Sequence, residues 1–400
     1  MKPKVFDSDV SVGKLKVLSV CTNFPTRTRP TLGLFVCRRL SQLSKLAELK
    51  MLVPQSYFPL VKPRPQDQPL PGTPFSVSIQ RMFYLPGVAK HWDGGWLERV
   101  VSTWISGMSD LDPKNTILDA HFGYPEGVGC YRVAKKKGLP LFITVRGLET
   151  ELMGVPAIKQ QMLEAYDYCT GIISVSQSLK DMLIQNGVDA GKIRVISNGV
   201  DSDIYCPGIR ETSRKQLGLA PDTKLVVSLG NIQRRKGYDL LIEAIAAYCM
   251  DPWFRCVILG GVNEPATKAS LDASIQQLGM KDQVCFFGQA EPDVVVQWLR
   301  AADLFVLPTR REGCCNAVLE ALSTGVPVIT TPAGDNTKFV SDGLNGFIVE
   351  HESPELLYKA IEKSWEHPWD SELISKSVQP YTWDGAAQQV AQYFDERLGR

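Results

Sequence analysis

Short apolar runs rich in β-branched residues recur along the whole chain, with amphipathic segments between them, and midway the pattern stops and begins again. In the first half the runs are LKVLSVC (15–21), LKMLVP (49–54), TILDA (116–120), LFITV (141–145), GIISVS (171–176) and IRVIS (193–197). In the second they are KLVVSLG (224–230), RCVILGG (255–261), QVCFFG (283–288), DLFVLP (303–308), PVITT (327–331) and GFIVE (346–350). Runs that are apolar throughout, without alternation, mark parallel strands covered on both faces by helices. A chain of 400 residues is also too long for one core. The expectation is an α/β protein of two doubly wound Rossmann-like domains facing a cleft, residues 1–205 and 206–382, with the loop-like stretch 198–211 between them. The amphipathic segment 383–398 is expected to form a helix that packs back on the first domain, and the proline-rich stretch 62–75 a loop.

Charge is divided unevenly. Residues 1–205 hold 25 Lys+Arg against 18 Asp+Glu, and the remainder has the opposite excess, so the net charge is only +1. A basic first half suits an anionic partner, either a phosphorylated ligand or an anionic membrane surface; an uneven spread of solvated charge accounts for it equally well. Nothing points to nucleic acid. The ten cysteines include no C-x-x-C pair and no zinc spacing, and several sit in apolar runs (Cys256, Cys285), so all ten read as reduced thiols of a cytoplasmic protein. The opening residues have no apolar signal core, and no run approaches the length of a membrane span.

In TRREGCCNAVLEALSTGVPVITTP (309–332), Glu312 follows a strand and Glu320 lies in the next helix, both on the carboxyl edge of the second sheet, where doubly wound folds bind ligands. One carboxylate can accept bonds from sugar hydroxyls and the other from a vicinal diol; a helix-start Glu and a solvated Glu are the plain alternative. In LGNIQRRKG (229–237), Arg234, Arg235 and Lys236 crowd a helix start, where cations oppose the helix dipole unless an anion such as a diphosphate visits. In the first half, Gly33 stands at a helix start where a phosphate could approach. His121 directly follows a strand, as do Arg146 and Glu149.

Taken together, FPTRTRPTLGLFV, DAHFGYPEG, VSQSLK, RVISNGVD, LGNIQRRKG, DLFVLPTRREGCCNAVLEALSTGVPVITT and NGFIVE, in this order, resemble the retaining glycosyltransferases of family four, which have the two-Rossmann GT-B architecture. The resemblance implies that Glu312 contacts donor-sugar hydroxyls, that Glu320 contacts the nucleotide ribose, and that backbone amides of Cys314, Cys315, Asn316, Val318 and Leu319 line sugar and phosphate. Lys236 and Arg235 would neutralise the diphosphate, with Gly33, Arg146, Asn198 and Arg234 completing the donor site. His121, Glu312 and Lys236 would be the catalytic group. The chain departs from the family pattern at Asn231, at Lys338 and in the CCN turn.

The implied reaction moves a hexose from a nucleotide diphosphate sugar, UDP-linked, to a glycan or lipid-linked acceptor in glycoconjugate or surface polysaccharide synthesis. A GDP-mannose-using mannosyltransferase, a nucleotide-sugar 2-epimerase or a non-catalytic binder of the same fold are the alternatives. No metal and no cofactor are expected, because the triplets DSD (7–9), DLD (110–112) and DSD (201–203) read as turns. Basic residues in 38–50 and 132–138 suggest peripheral docking of two first-domain helices to an anionic leaflet.

Overall fold

A computed structural model describes residues 14–58, 66–85, 89–109 and 111–400. The first DSD triplet, Asp110 and part of the stretch 62–75 lie outside them. The first sheet has seven strands: β1 (Lys16–Val20), β2 (Glu48–Tyr57), β3 (Ser76–Phe83), β4 (Thr116–His121), β5 (Leu141–Val145), β6 (Gly171–Ser174) and β7 (Ile193–Val195), in the order β3-β2-β1-β4-β5-β6-β7. The second has six: β8 (Lys224–Leu229), β9 (Phe254–Leu259), β10 (Val284–Gly288), β11 (Leu304–Leu307), β12 (Val328–Thr330) and β13 (Gly346–Ile348), in the order β10-β9-β8-β11-β12-β13. β1 pairs in parallel with β2 and β4, and β8 with β9 and β11. In both sheets the winding therefore reverses beside the first strand.

The apolar runs are strands for the reason the sequence suggests. Val17, Leu18, Ile117, Leu118 and Ile143 are wholly buried in the first sheet, as are Val226, Ile258, Val306 and Ile329 in the second. Side chains of this size each contribute roughly 1.5–3 kcal/mol when fully buried. The chain divides into two compact units that interleave: residues up to 173 with 186–194 and 387–400 in one, and 174–185 with 195–386 in the other. In the first unit, the end of the helix Trp383–Leu398 docks by packing Phe394 on Phe142, with ring centroids 4.5 Å apart, and Tyr393 Oη donates to the Lys192 carbonyl at 2.6 Å.

Three features differ from the sequence expectation. β3 falls just after the proline-rich stretch, in a segment with no continuous apolar run, and burial there is confined to Ile79 and Met82. β10 is an edge strand, so Cys285, expected to be buried, points to solvent while Cys256 on β9 is enclosed. Helix α1 (Leu34–Leu46) buries Arg39, which sequence placed on a basic outer face. Gly33 precedes α1 with φ +65°, and a Cβ there would lie 1.8 Å from the Asn23 carbonyl oxygen. The close approach that demands glycine is therefore to the chain's own backbone.

Candidate active site

The second unit gathers the charged residues of two sequence motifs at its switch point. After β8, residues Arg234–Lys236 form one 3-10 turn, closed by Gly237 at φ +72°. A Cβ on Gly237 would meet the Pro308 carbonyl oxygen at 2.0 Å, so glycine lets this turn press against the loop leaving β11. Two bonds pin that contact: the Arg310 amide donates to the Arg235 carbonyl at 2.7 Å, and Thr309 Oγ1 donates to the same oxygen at 3.0 Å.

Glu312 lies where the loops meet, its side chain only 7% exposed. Lys236 Nζ donates to Oε1 at 2.7 Å, Arg235 Nη1 to Oε2 at 3.0 Å, and Thr309 Oγ1 lies 3.0 Å from Oε1. Burial works to raise the carboxyl pKa, but the charges of Lys236 and Arg235 and these hydrogen bonds outweigh it, so the pKa is lowered and the group stays ionised. Lys236 is itself buried, contrary to what a lysine in a surface turn suggests. Arg310 belongs elsewhere: its guanidinium forms a two-pronged pair with Asp239 at 2.8 Å and also binds Glu352. Arg234 is exposed, and its amide donates to Glu264 at 2.8 Å.

Beyond the loop, the helix Asn316–Ser323 starts at the CCN turn. Its first amides were expected to face a ligand. In the structure Asn316 N–H donates to the Cys314 carbonyl at 3.1 Å, Val318 N–H to that of Cys315 at 3.1 Å, and Leu319 N–H to Cys315 at 3.4 Å, so these three close the turn. The Val318 and Leu319 side chains are core. Cys315 is buried, and burial pushes its thiol pKa up to about 12, which makes it inert packing. Cys314 is half-buried, its pKa likewise raised by burial. Asn198 Nδ2 donates to Asn316 Oδ1 at 2.9 Å, which ties RVISNGVD to this helix. Glu320 is half-buried on the same helix, beyond the first turn.

The first unit builds a second charged cluster at its own switch point. His121 ends β4 without any accessible surface. Its Nε2 lies 3.0 Å from Asp119 Oδ2, and the guanidiniums of Arg39 and Arg146 each approach Nδ1 at 3.2 Å. Burial pulls the imidazole pKa down to about 4; Asp119 opposes this, and the two arginines reinforce it. His121 is thus a neutral ring that accepts at Nδ1, lies beside Asp119 at Nε2, and is enclosed by charged neighbours, where sequence placed it open to a ligand. Asp119 is held at about 2: burial would raise it, but His121, Arg39 and the Ser19 hydroxyl prevail. Glu149 accepts the amides of Gly123, Arg146 and Gly147 at 2.8, 3.1 and 2.8 Å, which makes it a loop anchor. Glu126 accepts both the amide and the hydroxyl of Thr22, yet burial still pushes it up to about 7.

Sequence reasoning missed Arg39, Asp119, Glu126 and Thr309. Asp119 and Glu126 lie within DAHFGYPEG and could have been found there; Arg39 was hidden in an ordinary basic helix pattern. Of the aspartate triplets, the Asp112 carbonyl accepts the Asn115 amide, and that of Asp201 accepts the amides of Ile204 and Tyr205, which makes both turn residues.

Two reversing parallel sheets, each with a charged cluster at its switch point, define a GT-B glycosyltransferase-type fold. Residues 209–377 match the family model for glycosyl transferases group 1, and residues 72–204 match that for glycosyltransferase family 4. The chain belongs to this family. It is 27% identical to the D-inositol 3-phosphate glycosyltransferase of Corynebacterium glutamicum over 251 residues, 60% of each chain. It is 30% identical to that of Xylanimonas cellulosilytica over 203 residues, 49% of this chain and 48% of the relative. It thus spans about half to three fifths of the length of these curated relatives. In fold it is similar to sucrose-phosphate synthase from Thermosynechococcus elongatus, with a TM-score of 0.80 and 17% identity. It is also similar to Anabaena HepE in complex with UDP and glucose, with a TM-score of 0.76 and 19% identity. Each alignment covers 96% of this chain and 100% of the other.

Proposed function

We propose that the protein transfers a hexosyl group from a UDP-sugar to a hydroxyl of a glycan or lipid-linked acceptor, with retention at the anomeric carbon. The observation that carries this reading is the Glu312 carboxylate, held ionised and buried by Lys236 and Arg235 at the switch point of the second sheet. A buried carboxylate beside two cations offers hydroxyl acceptors and diphosphate donors together, which a donor sugar linked to a diphosphate needs. The UDP complexes of the Anabaena protein support uracil as the base of the donor nucleotide.

In this reading the bond from the anomeric carbon to the β-phosphate oxygen breaks, and the acceptor oxygen bonds to the same face. The acceptor proton passes to the departing phosphate. Lys236 and Arg235 stabilise the charge that gathers on the diphosphate, and Glu312 orients the sugar as its ring flattens. Glu320 holds the ribose. Within the first unit, His121 is a positioning group that holds the Arg39 and Arg146 guanidiniums through its Nδ1.

The test is incubation with UDP-glucose, UDP-galactose and GDP-mannose with water standing in for the acceptor hydroxyl, reading nucleotide release and, by NMR before mutarotation, the anomer of the hexose first set free. UDP release with a retained anomer is expected. Release from GDP-mannose alone, inversion, or no release from any donor would each defeat the proposal.

A further inference from the structure

Helices α2 (Asp93–Ser106) and α3 (Val128–Lys137) of the first unit border a groove of about 900 Å³ that involves none of the candidate active-site residues, though Arg132 and Lys136 belong to the basic stretch 132–138. Trp92, Trp96, Arg99 and Thr103 line it at the spacing of one helical face, and Arg132 and Lys136 face them from α3. Trp92 is 54% exposed, a large apolar surface to leave in water beside a recess.

The cations here are arranged before any ligand arrives. The Arg99 guanidinium stacks over the Trp96 ring at 4.6 Å, and among the described residues it has no carboxylate partner. Arg132 Nη2 donates to Gln161 Oε1 at 3.0 Å, and Gln161 Nε2 in turn donates to the His91 carbonyl at 3.0 Å. Glu98, the one carboxylate lining the groove among the described residues, is shared by Lys136 at 2.6 Å and Arg132 at 3.7 Å. Three cations therefore line the recess against a single, already bridged, acid. Fixing them in advance lowers the ordering cost of binding an anion.

We propose that this groove binds an acidic saccharide. Pyranose rings present apolar faces that stack on indoles, while their carboxylate or phosphate groups suit the guanidinium forks of Arg99 and Arg132. A solvated helix face would explain the charges but not the exposed indole beside the recess. An anionic bilayer is the rival occupant; it favours cations projecting on long stems from a flat face, whereas here Arg99 lies on Trp96 and Arg132 is tethered to Gln161.

Tryptophan fluorescence and calorimetry with trigalacturonate, glucose 6-phosphate, maltotriose and inorganic phosphate test the assignment, with 3:1 phosphatidylcholine–phosphatidylglycerol vesicles as competitor. At least one of the two acidic sugars is expected to bind saturably, at least about tenfold tighter than maltotriose or phosphate, and to weaken with salt. Trp92→Ala and Arg99→Gln, exposed positions whose folding is checked by circular dichroism, should each weaken binding about tenfold. Failure of both acidic sugars to bind, equal affinity for maltotriose or free phosphate, wild-type binding in both variants, or displacement by vesicles would each overturn the proposal. These readouts do not involve glycosyl transfer, so they stand apart from the fate of the proposed activity.

Discussion

Lys236 and Glu312, 76 positions apart in the chain, form a buried ion pair of 2.7 Å that joins the turn after β8 to the loop after β11. The two residues are therefore mutually dependent for folding. Lys236→Ala would leave a buried carboxylate with Arg235 and Thr309 as its remaining partners. Orphaning a buried charge costs 3–5 kcal/mol in the worst case, so a loss of about 3 kcal/mol is expected. Replacing both residues by apolar ones of similar shape, Lys236→Met with Glu312→Leu, should recover most of that loss while abolishing donor use. Urea denaturation of the three proteins checks this; a single variant as stable as the parent would show that the pair contributes nothing to the fold.

Glu312→Gln separates the two roles. Gln keeps the shape but weakens the charged hydrogen bonds, so some loss of stability, on the order of 1–2 kcal/mol, is expected. Turnover should fall by about ten- to a hundredfold if the contact to the sugar strengthens in the transition state. Glu320→Gln should instead raise the donor KM with little change in kcat, because a ribose contact serves ground and transition states alike. Steady-state kinetics on folded protein decide between them, and the same KM-only effect in both variants would remove Glu312 from the chemistry.

The positive charge that the proposed mechanism needs at the diphosphate comes from Lys236 and Arg235. Among the described residues no three His, Cys, Asp or Glu side chains are grouped to hold an ion. Dialysis against EDTA is therefore expected to leave the rate of UDP release within about twofold, less than 0.5 kcal/mol in barrier. A loss that manganese restores would count decisively against this charge assignment.

Most of what was legible in the sequence was local. LFITV at 141–145 coincides with β5, because five consecutive buried residues leave a strand little choice. The motif around Glu312 could likewise be placed at a strand end by counting. What escaped depends on contacts between distant segments. Arg39 satisfies every rule for a surface helix cation, yet its guanidinium reaches His121 and Thr144, 82 and 105 residues away. Lys236 looks solvated in a turn of three cations until Glu312 arrives from another loop. β3 was lost because its burial is shallow. Thr309 gave no signal, since a threonine just beyond a strand is ordinary until its hydroxyl is seen between the Arg235 carbonyl and Glu312.

The buried groups of the first unit yield a prediction in which two titrations oppose each other. His121 has its folded pKa lowered from 6.5 to about 4, so its contribution to stability is full above pH 6.5 and is lost as pH falls toward 4. Glu126 has its folded pKa raised from 4.5 to about 7, so its contribution is full below pH 4.5 and is lost as pH rises through 7. At 1.36 kcal/mol per pKa unit each spans about 3 kcal/mol, in opposite directions over nearly the same window. His121 is governed by burial, Asp119, Arg39 and Arg146, whereas Glu126 is governed by burial, Thr22 and Glu149, so the two effects should add. Between pH 4.5 and 6.5 their sum is nearly level. Relative to the parent, His121→Gln should become more stable as pH is lowered from 6.5 to 4.5, and Glu126→Gln less stable, by up to about 3 kcal/mol in each case. Denaturation midpoints of the three proteins at half-unit pH intervals measure this directly. Variant profiles that run parallel to the parent would mean that neither group changes its proton affinity on folding.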